Sequence, residues 1–332
     1  MKQVNYSNIK ITGGFWREKQ DMVRNITVKA VYDRFNDTGR FDAFKCEENP
    51  EHEPHIFWDS DVAKWIEGVA YLTREKREIE LEKIVDSVVD EIEKHRDTCG
   101  YFNSYYLTRH QDERFTNRDC HELYCLGHLI EAGVAYYEST GKDKLLKLMC
   151  DYADYVEKVF KNEHTAGFIT PGHEEIELAL VRLYECTKEE RYLELAKYFV
   201  DERGKIQEEL VEWGECAYNQ SHKPVREQFT AEGHAVRAVY LYCAMADLAL
   251  KYNDEGLKNA CKRLFDNIAD KRMYVTGGIG SSHDGEAFTV DYDLPNLVAY
   301  TESCAALGLI LFANRMLLLE NNAKYADVAE RA

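Results

Sequence analysis

Two kinds of helix alternate along this 332-residue sequence, and the alternation limits the folds open to the chain. One kind is apolar nearly all round, as over residues 235–250 and 305–313, which predicts helices buried on every side. The other kind is amphipathic: Ile84, Val88 and Ile92 form one apolar stripe among acidic residues. An open solenoid would expose both kinds about equally, so the pattern favours an all-α (α/α) barrel, with an inner ring of helices inside an outer ring.

The helix pairs recur along the chain. Four junctions, each the end of one helix, a short polar turn and the start of another, begin near Ala70, Ala135, Leu183 and Ala249. An N-terminal helical segment and a final pair bring the pattern close to the six pairs that would close an (α/α)6 barrel. We therefore expect residues 1–332 to form a single barrel domain. Because the sequence stops inside its last outer helix without a cap, we also expect the end of that domain to be missing.

Composition excludes several classes of partner. Lys and Arg total 42 and Asp and Glu total 60, so a net charge of −18 would repel nucleic acid and anionic membrane surfaces. No stretch resembles a signal peptide or a membrane span, which favours a soluble, cytoplasmic protein. The ten cysteines form no C-x-x-C pair and lie singly in helix-like segments, as expected of reduced, mostly buried thiols.

Polar residues recur where the inner helices begin, and parallel inner helices would bring these starts to one mouth of the barrel. In chain order they are Asp59 and Asp61, His121, His173, His234, and Glu302 with Cys304. A single histidine or aspartate at a helix start is more often a cap, but a series at about one per helix pair favours a ligand pocket. Trp58 and Tyr300 stand next to this mouth and are candidates to contact a sugar.

Carboxylates near the C terminus suggest acid/base chemistry. Glu286 and Glu302 flank one loop, and a pair of carboxyls from different elements is the usual requirement of glycoside hydrolysis. Asp291 and Asp293, within that loop, are better interpreted as turn residues. The glycine-rich residues 276–282, T-G-G-I-G-S-S, lack the lysine of a phosphate loop and predict a tight turn whose backbone amides approach the mouth.

Glu302 and Cys304 are also candidate ligands of zinc. Two residues apart on a regular helix they would point about 200° apart, so they converge only if the first turn is irregular. Zinc commonly takes four ligands, and no C-x-x-C or H-E-x-x-H motif supplies the others. Spacing alone therefore does not establish a zinc site.

Seven motifs follow one another along the chain. They are G-G-F-W-R-E, F-W-D-S-D-V-A-K-W-I-E-G, H-E-L-Y-C-L-G-H-L-I-E-A, T-P-G-H-E-E-I-E-L-A-L, G-H-A-V-R-A-V-Y, Y-V-T-G-G-I-G and G-E-A-F-T-V-D-Y-D-L-P-N-L-V-A-Y-T-E-S-C-A-A. Together they resemble glycoside hydrolase family 127, the β-L-arabinofuranosidases. The similarity runs from about Ile11 to the last residue.

The resemblance implies an (α/α)6-barrel catalytic domain, followed in full-length members by β-sandwich domains. It implies retaining hydrolysis of terminal β-L-arabinofuranosyl residues by a zinc-bound cysteine, with Glu286 as general acid/base and Glu302 and Cys304 as zinc ligands. The sugar would be bound by His121, His173 and His234. The family's other two ligands are an adjacent cysteine pair, one of them the nucleophile, and the 332 residues contain no such pair. We expect this chain to hold the acid/base and half of a zinc site.

Other functions stay open at this point. Another (α/α)6 sugar enzyme, of the N-acylglucosamine epimerase or unsaturated glucuronyl hydrolase type, would use His or Asp without a metal. A sugar-binding relative without catalysis is the non-enzymatic alternative. In each case the expected partner is a small carbohydrate, here an arabinofuranosyl-containing one, and a homodimer stays open as the assembly.

Overall fold

The protein is helical and divides into two compact units. A computed structural model describes residues 4, 6–49, 51, 53–206 and 215–332. Within these residues there are two isolated β-bridges, His234 with Ala287 and Met273 with Ile279, and no strand. The first unit spans residues 4–167 and the second spans residues 168–332. The predicted all-α class is confirmed, whereas the single-domain organisation stays a prediction.

The first unit contains helices α1 to α7. Their bounds are α1 Gly14–Met22, α2 Val28–Asp37, α3 Trp58–Glu75, α4 Ile79–His95, α5 Ser104–Arg109, α6 Glu122–Thr140 and α7 Lys144–Val156. A π-helical stretch, Val23–Thr27, joins α1 to α2, and another, Glu157–Asn162, extends α7. Helix α3 packs along α6, and their first residues, Trp58 and Glu122, adjoin two of the predicted polar positions.

The second unit contains helices α8 to α13. Their bounds are α8 Ile176–Thr187, α9 Glu190–Glu202, α10 Ala235–Tyr252, α11 Glu255–Asn267, α12 Ser303–Leu319 and α13 Ala323–Arg331. A π-helical stretch, Ile268–Arg272, extends α11. Helix α10 packs against α8, α11 and α12, so its surroundings explain why its sequence is apolar on nearly every side.

The alternation of helix types is largely as the sequence predicts. Helices α6 and α10 are buried through most of their length, whereas α4 buries one stripe that includes Val85, Val88 and Ile92. The four predicted junctions all lie between consecutive helices, at α3–α4, α6–α7, α8–α9 and α10–α11. Periodicity therefore located these helix pairs correctly.

Helix α12 departs from the prediction of burial on every side. It packs against α10 and α13 through Leu309, Phe312 and other small or apolar residues. Leu307 and Leu311, however, are 60% and 43% exposed. Apolarity all round predicts burial only when neighbours cover every face, and the described elements that pack on α12 leave this face open.

Two further predictions concern the cysteines and membrane-spanning helices. No disulfide joins any of the ten cysteines, as expected of reduced thiols, but only Cys125, Cys243 and Cys261 are buried, so the prediction of mostly buried thiols was wrong. No helix among the described residues has the length and apolarity needed to cross a membrane.

Helices α10 and α12 approach each other closely at Gly308, and this contact gives a stability test. A Cβ placed on Gly308 would lie 2.3 Å from Cγ2 of Val239, a fully buried side chain. We expect Gly308→Ala to destabilise the protein by about 1–3 kcal/mol, since overpacking outweighs the helix propensity gained. Thermal unfolding followed by circular dichroism would measure the change.

Gly68 in α3 is the matched control, because a Cβ there meets nothing within 4 Å. Gly68→Ala should leave the melting temperature unchanged or raise it. The second substitution Val239→Ala should recover part of the stability lost in Gly308→Ala. Equal effects of the two glycine substitutions would contradict the close helix contact.

Candidate active site

His234 stands at the start of helix α10 and closes its first turn. It is the N-cap residue, and its Nδ1 accepts hydrogen bonds from the backbone N–H groups of Val236, at 3.2 Å, and Arg237, at 3.4 Å. A free amide at a helix start needs such an acceptor, and this explains a histidine at this position. The imidazole is thereby fixed in orientation, with 5% of the residue exposed.

Glu286 lies against this imidazole. Nε2 of His234 is 2.9 Å from Oε2 of Glu286, and the hydroxyl of Tyr300 donates to Oε1 at 2.6 Å. The loop is held in place by its backbone: the N–H of Phe288 donates to the carbonyl of Gly233 at 2.8 Å. Two side chains from distant parts of the sequence therefore fix both carboxylate oxygens.

The backbone at Glu286 is unusual. Gly285 has φ +65 and Glu286 itself has φ 52, so two consecutive residues occupy the left-handed region. Glycine suits position 285 for a second reason, since a Cβ there would lie 3.2 Å from the ring of Tyr218. A left-handed non-glycine residue costs free energy and is found preferentially at functional sites.

Hydrogen-bond geometry assigns the proton of His234. Because Nδ1 accepts two backbone N–H bonds, it carries no proton, and the proton of the neutral ring must be on Nε2. Nε2–H then donates to Glu286. Burial lowers the pKa of His234 below its ordinary value, which keeps the ring neutral at pH 7.

Glu286 is held in its ionised form. The hydrogen bond from His234, and then that from Tyr300, lower the pKa of Glu286 well below its ordinary value, against the opposite effect of burial. The same hydrogen bond raises the pKa of Tyr300 to about 12, so this phenol stays a donor at neutral pH. At pH 7 this arrangement presents a carboxylate, the form required of a general base.

His173 lies beside His234. The two ring centroids are 5.5 Å apart, and Nδ1 of His173 donates to the backbone carbonyl of Glu174 at 3.0 Å. Both Glu174 and the nearby Arg203 are fully buried, with Nη1 of the arginine 3.0 Å from Oε1 of the glutamate. Burial raises the pKa of Glu174 to about 8. The segment that carries His173 thus rests on a buried contact between Arg203 and Glu174.

The glycine-rich segment of residues 276–282 is a turn beside the site, which it contacts through both carbonyls and an amide. The N–H of Thr301 donates to the carbonyl of Gly280 at 2.9 Å, and the N–H of Tyr300 donates to that of Ser281 at 3.2 Å. The prediction of a tight turn here is confirmed. One amide of the segment does approach Glu286, since the N–H of Ser282 donates to the carbonyl of Ala287 at 3.1 Å, while the two carbonyl contacts anchor the segment bearing Tyr300.

Glu302 and Cys304 stand at the start of helix α12. Glu302 is the N-cap residue, with φ −60 and ψ 140, so the two residues do not lie on one regular helix. Their carboxylate and thiol groups are donors of the type zinc accepts. Among the described residues there is no group of three or more His, Cys, Asp or Glu that could hold a metal ion. The two side chains fit part of a zinc site by their chemistry.

Trp58 and His121 lie in the first unit. The guanidinium of Arg40 lies over the half-buried ring of Trp58, 4.9 Å from its centroid. His121 has φ 58 and is the residue before α6; its Nδ1 donates to the carbonyl of Asp119 at 2.7 Å. The structure therefore brings His173, His234, Glu286 and Tyr300 together in the second unit and describes Trp58 and His121 separately.

The aspartates near Trp58 have structural partners. Asp59 is buried and accepts hydrogen bonds from the N–H and Oγ of Ser104, at 2.8 and 2.5 Å. Asp61 pairs with Nε of Arg40 at 2.8 Å. Burial raises the pKa of Asp59 to about 6. These two carboxylates fasten α3 to its neighbours in the first unit.

Asp291 likewise has a structural role, as the sequence suggested. It accepts hydrogen bonds from Asn267 at 2.9 Å, Lys271 at 2.9 Å and Arg272 at 2.8 Å. These hydrogen bonds, of which the one from Lys271 has the largest effect, hold the pKa of Asp291 far below its ordinary value. Asp293 donates its N–H to the carbonyl of Val290 in a turn. The loop is therefore tied to the end of α11.

Two residues near the site were missed by the sequence analysis. The ring of Tyr218 lies 5.7 Å from that of His234, and its backbone carbonyl accepts the N–H of His234 at 3.0 Å. Arg237 lies over the ring of Tyr218, at 4.5 Å. Tyrosine is too frequent in this chain for Tyr218 to stand out in the sequence. An arginine in the first turn of a helix is unusual, so the sequence could have drawn attention to Arg237.

Comparison with known proteins gives a consistent result. Residues 8–332 match the family described as the GH127 catalytic domain of β-L-arabinofuranosidase. The non-reducing end β-L-arabinofuranosidase of Bifidobacterium longum subsp. longum is 35% identical over 366 residues, which cover 98% of this chain and 56% of that protein.

Two solved structures are similar over 98% of this chain, each with a TM-score of 0.92. One is a GH127 β-L-arabinofuranosidase from Geobacillus stearothermophilus T6, 45% identical, with 55% of its chain covered. The other is a GH127 β-arabinofuranosidase, 38% identical, with 52% covered. Together with the helical structure they confirm the predicted all-α (α/α)-barrel class. The chain spans about half the length of these relatives.

The two neighbouring histidines are predicted to differ in tautomer. Nδ1 of His234 accepts hydrogen bonds and Nδ1 of His173 donates one, so 15N spectra at pH 7 should give a pyridine-type Nδ1 signal for His234 and a pyrrole-type Nδ1 signal for His173. Single substitutions His234→Gln and His173→Gln would assign the signals. A pyrrole-type Nδ1 in His234 would contradict the described pairing with Glu286.

Proposed function

The chain belongs to glycoside hydrolase family 127, and from this premise we propose that it acts in the hydrolysis of terminal β-L-arabinofuranosyl residues. Glu286 supplies the general acid/base. The observation that supports this role is the fixing of both carboxylate oxygens, by His234 at 2.9 Å and by Tyr300 at 2.6 Å. A carboxyl group must be held in this way to transfer a proton to or from one chosen atom.

The proposed reaction proceeds with retention, so Glu286 acts twice. In the first step it gives a proton to the leaving glycosidic oxygen, and in the second it takes a proton from the attacking water. In the sugar-free protein Glu286 is prepared for the second role, because its hydrogen bonds favour the carboxylate. A bound sugar would exclude water and raise the pKa of Glu286 toward the range required of an acid.

Sugar binding is assigned by the same proposal to the residues around Glu286. His173, with its ring beside that of His234, would contact a sugar hydroxyl, and the rings of His234 and Tyr300 would line the site. His121 and Trp58 of the first unit remain proposed sugar contacts. Each of these side chains is aromatic with a polar edge, a type that suits the alternating apolar and hydroxyl surfaces of a sugar.

Zinc is part of the proposal. Glu302 and Cys304 would hold it, with further ligands from outside these 332 residues. When bound, zinc lowers the pKa of a coordinating thiol, so that a thiolate nucleophile exists at neutral pH. The chain's own contribution is to place a carboxylate and a thiol at the start of α12, next in sequence to the loop that ends with Tyr300.

A matched pair of substitutions tests the role of Glu286. In a protein that continues past residue 332 to include an adjacent cysteine pair, Glu286→Gln should reduce turnover of an aryl β-L-arabinofuranoside by about 10²–10⁴-fold. Asp284→Asn makes the same chemical change at an exposed position two residues earlier and should leave turnover close to that of the parent protein.

Undiminished turnover by Glu286→Gln would disprove its role. If the parent protein binds the arabinofuranoside but releases no product, the chain is a sugar-binding relative without catalysis. Release of product with no zinc in the active protein, measured by atomic emission, would favour a metal-free (α/α)6 sugar enzyme.

A further inference from the structure

Arg237 carries a positive charge where both the backbone and burial oppose it. It is the third residue of helix α10 and is 3% exposed. Helix N-termini are positively polarised and favour acidic residues in the first turn. A buried charge is costly as well, unless a partner compensates it. A buried arginine in the first turn of a helix therefore requires a specific explanation.

Arg237 forms no ion pair with a carboxylate among the described residues, although its charge acts on Glu174 and Glu286. Its Nη1 donates to the backbone carbonyl of Gly172 at 2.6 Å, and its guanidinium lies 4.5 Å from the ring centroid of Tyr218. Among the described residues no carboxylate is within ion-pair distance, and the buried Nε has no hydrogen-bond partner. Arg203, also buried in the second unit, contacts two carboxylates, at 3.0 and 3.1 Å.

The contacts of Arg237 connect three segments of the candidate active site. Gly172, whose carbonyl it binds, is the residue before His173. Tyr218, on which it stacks, contacts the ring of His234 and approaches Gly285, the residue before the acid/base. The backbone N–H of Arg237 itself donates to Nδ1 of His234. The side chain of Arg237 thus contacts Gly172 and Tyr218 directly, and its backbone N–H contacts His234.

We propose that Arg237 is a positioning residue. Its charged side chain, which has no ion pair among the described residues, holds the segment of His173 and the His234–Glu286 pair in one arrangement. The inference rests on the proposed role of Glu286. An arginine suits this position better than a lysine, because its planar group can stack on an aromatic ring while donating to a carbonyl in its own plane.

The charge of Arg237 also acts on its neighbours. After the hydrogen bonds from His234 and Tyr300, the charge of Arg237 contributes to the low pKa of Glu286. The charge of Arg237 adds to burial in lowering the pKa of His234, while the charge of Glu302 opposes it. Arg237 therefore favours an ionised Glu286 beside a neutral His234, which is the state described above.

Removal of this charge should be visible at Glu286 in the 332-residue chain itself. Arg237→Gln removes the charge but keeps a side-chain N–H donor, and the pKa of Glu286 should rise. The measurement is a pH titration of side-chain 13C signals with labelled glutamate, assigned by Glu286→Gln. Arg237→Lys retains the charge and should restore most of the low pKa.

Two further variants keep the test decisive. Arg237→Met replaces a buried charge by an apolar side chain of similar length, a change that proteins often tolerate, and it should give the same rise if Arg237→Gln does not fold. Arg226→Gln removes a paired arginine of the second unit, bound to Asp201 and Asp254 at 2.7 Å. It should lower the melting temperature without moving the Glu286 titration.

An unchanged Glu286 titration in the charge-removing variants would overturn the proposal, as would an equal shift in Arg226→Gln. These results do not depend on hydrolysis. A protein inactive on arabinofuranosides would contradict the proposed function while the Glu286 titration still decides the role of Arg237.

Discussion

The candidate active site depends on the hydrogen bonds made by the two nitrogens of the His234 imidazole. One nitrogen accepts the first free amides of helix α10, and the other donates to Glu286. A helix start is a rigid reference point, so a carboxylate bonded through its cap acquires a defined position. The hydrogen bonds made by Glu286 compensate the strain of its left-handed backbone.

The electrostatics around His234 and Glu286 favour the ionised form of Glu286. Glu286 is kept ionised by neutral donors, and Arg237 remains buried without an ion pair among the described residues. Elsewhere in the second unit charges are compensated conventionally, as for Asp291 with Lys271 and Arg272. Asp291 and its partners thus maintain the loop, whereas the groups around Glu286 set its protonation state.

Much of the fold could be predicted from the sequence, because local periodicity reports which face of a helix is covered. The junctions near Ala70, Ala135, Leu183 and Ala249 were correct for this reason. Helix α12 was not, since composition cannot specify whether a neighbour covers Leu307. The motifs predict a role for Glu286, but its partner His234 is 52 residues away, and the pairing depends on a loop conformation that no local pattern encodes. The tautomer of His234, the bond from Tyr300 and the stacking of Arg237 required the structure.

We propose that the carboxylate held by His234 and Tyr300 faces the glycosidic bond of a bound arabinofuranoside. A crystal structure with a hydrolysis-resistant, sulfur-linked β-L-arabinofuranoside tests it most directly. We expect the linking sulfur within about 4 Å of a carboxylate oxygen of Glu286, with the furanose ring beside His173. An arabinofuranoside bound elsewhere, with both hydrogen bonds to Glu286 unchanged and no contact to its carboxylate, would contradict it.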